Sequence, residues 1–307
     1  MKTRLLTLFL MSSCLLHAAA RAEGDTSPAT QPNADATGET AATDAPAASA
    51  ATAAPSPAPT AAPFTANIGL VSDYRFRGIS QTWKRPAVQG GFDYADASGW
   101  YLGVWGSNVS GNSYNNGAGL EMDLYGGFKT AVAEGLTLDL GALAYVYPGA
   151  RMNRAPGVPG GDHYDNVDLY AALTAGNFSG KLSVAATDYF GLDGTTAGYA
   201  YFSALTPAGN SKGSAYLDLN YGFDLGQGLT ASAHLGHLWV RHYGDLSYTD
   251  WKLSLSKPIE RLGGLTLSAS LVGTDADKAF YQAGDAGGLR PKRLGNTGVV
   301  LGISRSF

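Results

Sequence analysis

The sequence lacks cysteine outside its first residues and lacks any later long apolar segment. Cys14, the only cysteine, lies in the N-terminal apolar stretch, so the mature chain would have no disulfide, cysteine-bound metal or thiol nucleophile. No later segment reaches the ~18 consecutive apolar residues of a transmembrane helix. The five His residues show no ligand spacing, and the Gly-rich segments lie at turns. We therefore expect no metal and no cofactor, and the net charge of −4 disfavours nucleic acid as a partner.

The N-terminus has the pattern of an export signal. Lys2 and Arg4 precede a mostly apolar stretch that ends in the small-x-small sequence Ala-Arg-Ala at 20–22. This pattern predicts a signal peptide over residues 1–22. A lipoprotein signal acylated at Cys14 is the alternative, although the apolar stretch continues past that residue.

Residues 23–63 are rich in Ala, Thr and Pro, and they contain five acidic residues but no Lys or Arg. A segment with almost no large apolar side chain cannot bury enough surface to offset its conformational entropy. We expect a disordered periplasmic tail, which would act either as a tether or as a spacer without a partner.

Residues 64–307 alternate between apolar and polar side chains in segments about ten residues long, the length of a tilted membrane strand. In the fourth segment, for example, Leu120, Met122 and Leu124 alternate with Glu121 and Asp123. We count twelve such segments. They predict an all-β fold, a transmembrane antiparallel β-barrel with apolar side chains facing lipid. A water-soluble barrel or sandwich with one buried apolar face gives the same alternation and is the alternative.

The connections between these segments alternate in length. The short ones lie near 96–99, 134–135, 176–177, 226–228 and 258–264, and the long ones at 110–118, 148–163, 191–212, 241–247 and 274–294. We expect the first strand to carry Ala66, Ile68, Leu70, Tyr74 and Phe76 on its lipid-facing side. The connection after it, around Ser80–Trp83, should be brief. Short turns on one rim and long loops on the other are typical of an outer-membrane barrel, and an even strand number places both termini on the periplasmic rim.

The last strand ends on an aromatic residue and keeps its apolar side chains on one face. These residues are Val299, Leu301, Ile303 and Phe307. We interpret them as an assembly signal for the barrel-assembly machinery, in the outer membrane of a Gram-negative bacterium.

Three motifs resemble a known family. Residues 67–81 have the sequence NIGLVSDYRFRGISQ, residues 103–109 GVWGSNV and residues 121–128 EMDLYGGF. They resemble the opening landmarks of the TorF-type family of bacterial outer-membrane porins, over about residues 65–307. The resemblance implies a porin-like barrel and supplies no assigned site residues.

Charged side chains on the inward face predict a polar lumen of both signs. The candidate lumen-lining residues are Asp73, Arg75, Arg77, Asp93, Glu121, Asp123, Lys129, Asp139, Asp168, Lys181, Asp218, His234 and Lys252. Twelve strands give a narrow lumen, partly filled by side chains or by loop 274–294. The lumen would conduct small solutes, or its ion pairs would lock the barrel.

Arg75 and Arg77 have two interpretations. They form a ladder that attracts an anionic solute, or they pair with Glu121, Asp123 or Asp93 on neighbouring strands.

The long-loop rim is basic. Its candidate residues are Lys84, Arg85, Arg151, Arg154, Arg290, Lys292 and Arg293. They would form a funnel for anions, clamp lipopolysaccharide phosphates, or be ordinary solvated charge.

We expect a channel for passive diffusion of small polar solutes rather than an enzyme. A lipid hydrolase needs a Ser, a His and an orienting group together, but His234 and His237 lie three residues apart on a strand and face opposite sides. Ser107 is only a weak nucleophile candidate. The expected partners are outer-membrane lipid, lipopolysaccharide and small polar solutes. The alternative is a non-conducting structural or adhesive barrel whose long loops bind outside partners.

Overall fold

A computed structural model of the protein describes residues 63–113, 118–151, 163–198, 202, 204–284 and 290–307. The predicted signal peptide and the predicted tail up to residue 62 lie outside these residues. Twelve long strands follow one another along the chain: β1 (Phe64–Val71), β2 (Ala87–Ala95), β3 (Trp100–Asn108), β4 (Leu120–Ala133), β5 (Leu136–Val146), β6 (Asn166–Ala175), β7 (Phe178–Ala185), β8 (Ala215–Asp224), β9 (Thr230–Trp239), β10 (Tyr248–Ile259), β11 (Leu265–Thr274) and β12 (Gly298–Ser306).

The twelve strands form a closed antiparallel barrel in which each strand pairs with its neighbours in sequence. β1 closes the barrel by pairing with both β2 and β12, so that Leu70 lies opposite Val88 on one side and Ile303 on the other. Closure leaves no strand of the barrel with an unpaired edge. The predicted strand number and the antiparallel barrel are therefore confirmed.

The two faces of the barrel wall have inverted polarity. On β4, Leu120 and Leu124 are 42% and 50% exposed, whereas Glu121 and Asp123 are fully buried. Exposed apolar side chains continue around the outer surface, including Phe92, which is 69% exposed. A water-soluble barrel would bury these side chains, so the arrangement is that of a barrel whose outer face contacts hydrocarbon.

The described helical elements are three 3₁₀ turns: Tyr189–Gly191, Gly244–Leu246 and Glu260–Leu262. No helix among the described residues is long and apolar enough to cross a membrane.

The predicted alternation of short turns and long loops is present. Residues 96–99, 134–135, 176–177, 225–229 and 260–264 connect strands at one rim, and residues 109–119, 147–165, 186–214, 240–247 and 275–297 at the other. Both ends of the barrel sequence, at β1 and β12, lie at the short-turn rim. The long loops contribute a cluster of buried apolar side chains, including Tyr147, Tyr164, Leu192 and Leu294, which are each at most 1% exposed.

The first connection differs from its prediction. We expected the first strand to run through Tyr74 and Phe76 and to end in a brief loop, but β1 ends at Val71 and residues 72–86 fold into the barrel. This inserted segment contains a small hairpin in which Arg75–Phe76 pairs with Ile79–Ser80. Tyr74, predicted to face lipid, is only 8% exposed, and its ring contacts the buried ring of Trp105.

Gly78 explains how the hairpin tip fits against the wall. Its φ is +77°, and an added Cβ would lie 2.4 Å from Cγ2 of Thr274 and 2.8 Å from Cβ of Asp250. Arg77 also has a positive φ, of 46°. Two successive positive φ angles are typical of the tight turn of a two-residue hairpin loop, in which glycine is favoured.

A second small hairpin supports the inserted segment. It pairs Gln282–Ala283 with Lys292–Arg293 in the last long loop. The indole Nε1 of Trp83 donates to the carbonyl of Ala283 at 2.9 Å, and the amide of Ser80 donates to the carbonyl of Leu294 at 3.1 Å. The segment that enters the barrel is therefore 72–86, with residues of the predicted plug loop 274–294 bonded to it.

Candidate functional site

Asp73 organises the base of the inserted segment. Its Oδ1 accepts hydrogen bonds from Ser80 Oγ at 2.6 Å and Thr82 Oγ1 at 3.1 Å, and its Oδ2 lies 2.5 Å from Nε of Arg75. Both side chains of the Asp73–Arg75 pair are 8% exposed. The carboxylate thus holds both arms of the hairpin, which is consistent with the rule that buried charges are paired.

Arg75 joins the hairpin to the last long loop. Its Nη1 donates to the carbonyls of Gly78, Leu294 and Asn296 at 3.0, 2.9 and 3.2 Å. Arg75 is therefore bonded to Asp73 and to backbone carbonyls of the hairpin and the last long loop. Its predicted pairing with Glu121, Asp123 or Asp93 is wrong.

Arg77 crosses the lumen. Its Nη2 lies 2.7 Å from Oδ2 of Asp168 on β6, and its Nη1 donates to the hydroxyl of Tyr189 at 3.3 Å. The guanidinium carbon is 4.3 Å from the ring centroid of Tyr216 on β8. Since β6 and β8 flank the strand opposite β1 in the closed ring, the segment that leaves β1 reaches the far wall. The predicted acidic partners of Arg77 are also wrong, and Asp168 replaces them.

A buried triad lies on β8, β9 and β10. Nδ1 of His234 is 3.1 Å from Oδ1 of Asp218, and its Nε2 is 2.8 Å from Oδ1 of Asp250. An ionised carboxylate only accepts hydrogen bonds, so this geometry favours a proton on each ring nitrogen. Tyr216 adds a hydrogen bond from its hydroxyl to Oδ2 of Asp250 at 2.9 Å.

Tyrosines lie across glycines on the inner wall of β3 to β6. Tyr101, Gly127, Gly141 and Tyr170 are successive cross-strand partners. The two tyrosine hydroxyls contact each other, and that of Tyr101 donates to Asp139 at 2.6 Å. A Cβ at Gly127 or Gly141 would lie 2.5 Å from a tyrosine hydroxyl, so glycine is what leaves room for the rings.

A tyrosine packed over a glycine also contacts Asp93. Tyr125 lies over Gly103, its cross-strand partner, and donates to Oδ1 of Asp93 on the next strand. Tyrosine hydroxyls therefore contact two of the predicted lumen carboxylates, Asp93 and Asp139.

Glu121 and Asp123 are fully buried on β4. Glu121 accepts a hydrogen bond from the hydroxyl of Tyr74 at 3.2 Å. Among the described residues, neither carboxylate oxygen of Asp123 has a hydrogen-bond partner.

The remaining predicted lumen residues are three lysines. Lys129 and Lys252 are half-buried, and Lys129 lies opposite Asp139 in the register. Nζ of Lys181 is 4.0 Å from Oδ2 of Asp218. A cavity with about 50 Å³ open to water-sized molecules lies beside the hairpin tip. Its charged lining residues are Arg75, Arg77, Lys181, Asp218, His234, Asp250 and Lys252.

Several residues of the predicted basic rim are engaged locally. Lys292 donates from Nζ to the carbonyl of Trp83 at 3.2 Å and lies 3.8 Å from its ring centroid. Arg85 is 4.9 Å from the same ring. Lys84 donates to the side-chain oxygen of Asn296, and its pKa is lowered by burial and by the nearby Arg75.

The other rim residues are more peripheral. Arg293 is exposed and donates to the carbonyl of Ala276 at 3.1 Å. Arg151 and Arg290 are exposed, and Arg154 lies outside the described residues. The rim is therefore only partly a ring of solvated charge.

The C-terminal strand keeps its apolar face outward. Val299, Leu301 and Phe307 are 65%, 57% and 66% exposed, and Ile303 is half-buried. The interpretation as an assembly signal stays a prediction.

Among the described residues, no serine hydroxyl is hydrogen-bonded to His234 or His237. Both ring nitrogens of His234 face carboxylates, and Nδ1 of His237 lies 2.8 Å from the hydroxyl of Thr249. Ser107 donates to the carbonyl of Asn108 at 3.0 Å. The sequence Gly-Asn-Ser-Lys-Gly at 209–213 has the G-x-S-x-G spacing of a nucleophile elbow.

Ser211 in that sequence has a structural role. It is fully buried and donates to the carbonyl of Leu192 at 2.5 Å, while it accepts from the amide of Tyr189 at 2.8 Å. Its hydroxyl ties the long loop together and is not presented to a substrate.

Comparison with known proteins assigns the family. The family model described as "Bacterial protein of unknown function (Gcw_chp)" matches residues 53–307. The chain belongs to the Gcw_chp family. No curated protein matches its sequence. The similarity to the TorF-type family specifically stays a prediction.

Solved structures similar to this Gcw_chp chain include outer-membrane porins at low identity. The KdgM porin is 10% identical with a TM-score of 0.41, and 79% of this chain and 99% of that chain are covered. The NanC porin is 9% identical with a TM-score of 0.43, covering 78% and 97%. OccAB3 of Acinetobacter baumannii is 12% identical with a TM-score of 0.35, covering 78% and 59%. These likenesses are too remote to assign an activity to the Gcw_chp barrel.

Three interior residues that contact Arg77 or His234 were missing from the sequence-based candidates. Tyr216 and Asp250 share the inward face with the predicted Asp218 and Lys252, so the alternation itself marks them. Tyr189 lies in a long loop, and its contact with Arg77 has no local signal in the sequence.

Proposed function

We propose that the protein is an outer-membrane channel for passive diffusion of small polar solutes. The observation that supports this most is the inverted polarity of the closed barrel. Ionisable side chains of both signs line the interior, while exposed apolar side chains cover the outer face. A polar interior within an apolar wall is the arrangement of a water-filled barrel in lipid.

The inserted segment limits the size of the solute. Twelve strands enclose a lumen between the filled interior of barrels of about eight strands and the open channel of barrels of about sixteen. Residues 72–86 narrow it further, because Arg77 reaches Asp168 on the far side. The charged residues that line the cavity beside the hairpin tip then form a narrow path rather than a wide pore, whereas Glu121 and Asp123 are buried in the wall.

Planar-bilayer recording tests this proposal. We expect discrete but small conductance steps from the wild-type chain, and larger steps when residues 72–86 are replaced by a short Gly-Ser link. Absence of steps from both proteins, with a heat-modifiable gel shift proving that both are folded, would overturn the channel function.

The alternative function is a non-conducting structural or adhesive barrel. The observation that favours it is the buried apolar cluster of the long loops, which includes Tyr147, Tyr164 and Leu294. Conductance that occurs only after residues 72–86 are replaced supports this alternative, whereas steps from the wild-type chain support the channel.

The proposed location in the outer membrane implies several partners. Outer-membrane lipid contacts the apolar face, and lipopolysaccharide contacts the long-loop rim. The terminal strand, from Val299 to Phe307, would be recognised by the barrel-assembly machinery. Residues 1–22 would direct export, and residues 23–63 would extend into the periplasm.

A further inference from the structure

Lys181 and Ser183 present unused hydrogen-bond donors to one cavity. They lie two residues apart on β7, so both side chains face the same side of the wall, and both line the cavity beside the hairpin tip. The side chain of Lys181 is 15% exposed, and Ser183 is 5% exposed. What exposure they have is toward the interior of the barrel.

Neither donor has a hydrogen-bond acceptor within the described part of the chain. The carboxylate nearest to Nζ of Lys181 is Asp218, at 4.0 Å, which is beyond hydrogen-bonding distance. The ring of Tyr170 lies 5.6 Å away. The Ser183 hydroxyl makes no hydrogen bond to another described residue. A mostly buried ammonium without an acceptor is costly, so a ligand or water must supply one.

Asp218 is already committed to other donors. Its Oδ1 lies 3.1 Å from Nδ1 of His234 and accepts from Nδ2 of Asn220 at 2.9 Å. Oδ2 is the oxygen nearest to Lys181, but the single charge of Asp218 is shared between His234 and Lys181, so it balances the charge of Lys181 only in part. Water would satisfy the hydrogen bonds of Lys181 and Ser183, but only an anion would also satisfy the charge.

The charges that line the cavity favour the same ligand. Five cationic side chains and two carboxylates line it when His234 is doubly protonated, the form that its two carboxylate partners favour. Two further carboxylates balance the arginines: Asp73 pairs with Arg75, and Asp168 pairs with Arg77. One positive charge remains in excess among these groups. Asp139 also acts on Lys181, but it lies opposite Lys129, and this pair adds no net charge. The small free volume matches a small ion.

We propose that this cavity binds a small monovalent anion between the ammonium of Lys181 and the hydroxyl of Ser183. The biological role of this site rests on the proposed function, because the site would define which class of solute the channel favours. The binding itself is a separate, measurable property of the folded barrel.

The test uses formate as the probe, with the full chain in detergent micelles. The proton line width of formate should increase with the protein concentration and reach a plateau. It should return toward the value of free formate when chloride is added. Lys181→Gln should weaken formate binding by about tenfold, since a charged hydrogen bond is lost. Ser183→Ala should weaken it a few-fold. Lys257→Gln, the same charge change at an exposed residue of β10, should leave it unchanged.

The outcomes separate this inference from the channel proposal. No saturable broadening by the wild-type chain, or equal broadening by Lys181→Gln, overturns the anion site while leaving conductance untouched. If Lys181→Gln fails to give a heat-modifiable gel shift, Ser183→Ala decides alone, and unchanged formate binding in that variant overturns the site. Formate binding without conductance would contradict the channel proposal but not the anion site.

Discussion

Arg77 and Asp168 are joined across the lumen of the barrel, 91 residues apart in sequence, with Nη2 of the arginine 2.7 Å from Oδ2 of the aspartate. This pair fixes the tip of the inserted segment 72–86 to the wall opposite β1. Both side chains are almost fully buried. The pair therefore acts as a latch whose strength sets how far the inserted segment restricts the lumen.

Breaking the latch should open the lumen. Arg77→Met keeps much of the side-chain volume but removes the charge, which leaves Asp168 buried without its ion-pair partner, and such a loss costs about 3–5 kcal/mol. Single-channel recording should show larger or more frequent openings than in the wild-type chain. The double variant Arg77→Met/Asp168→Asn should be more stable in urea titration than the single variant. Unchanged conductance in both variants contradicts the latch.

Gly78 should be sensitive to a single methyl group. Gly78→Ala combines an unfavourable positive φ with a contact of 2.4 Å to Thr274, so it should lower stability by roughly 1–3 kcal/mol. Gly149→Ala is the matched control, since its φ is +78° and nothing lies within 4 Å of an added Cβ. Urea unfolding should show a clearly larger loss at Gly78, and equal losses at the two positions would mean that the hairpin tip is not pressed against the wall.

The tyrosine row should depend on its glycines. Gly141→Val would place carbon atoms against the hydroxyl of Tyr170 and the carbonyl of Gly126, which lie 2.5 and 2.7 Å from the position of the new Cβ. Overpacking of this kind costs about 1–3 kcal/mol. At Gly222 on β8 nothing lies within 4 Å of an added Cβ, so Gly222→Val should be tolerated better. The midpoint of the heat-modifiable gel shift measures the difference, and a lower midpoint for Gly222→Val than for Gly141→Val would refute the account.

The loop at Asp193 should loosen in acid. Burial opposes ionisation of this carboxyl, but hydrogen bonds from the hydroxyl and amide of Thr195 and from Thr196 outweigh it and lower its pKa. The ionised form is favoured in the folded loop, so its contribution is fully present above the ordinary value of 3.8 and is lost as pH falls through the lower folded pKa. Amide exchange at Thr195 and Thr196, corrected for intrinsic rates, should show protection that falls in this window. Asp193→Asn should remove the pH dependence, and a wild-type loop with constant protection would contradict the assignment.

The sequence was sufficient to predict the barrel because its pattern is local. Alternation along β4, with Leu120 and Leu124 on one face and Glu121 and Asp123 on the other, follows from the two-residue period of a strand. The lengths of the connections likewise depend on neighbouring residues. Strand number, antiparallel order and the two rims were therefore predictable.

The inserted segment was not predicted, because alternation continues past the end of β1. Tyr74 and Phe76 keep the apolar phase of Ile68 and Leu70, although β1 has already ended at Val71. Arg77-Gly78 was a local turn signal that could have been used. The partner of Arg77 could not, since Asp168 lies in another strand and nothing in the sequence spacing links the two.

The most direct test of the account asks which medium contacts each face of the wall. The mature chain has no cysteine if residues 1–22 are removed, so single-cysteine variants can carry a nitroxide label in liposomes. Leu253→Cys places the label on the outer face of β10, where the native side chain is 51% exposed, and Ser254→Cys places it on the half-buried inner face. Power-saturation spectroscopy should show that the label at 253 collides with oxygen dissolved in the bilayer and the label at 254 with a water-soluble nickel chelate. The reverse pattern, or access of the nickel chelate to both labels, would contradict a barrel whose outer face lies in hydrocarbon.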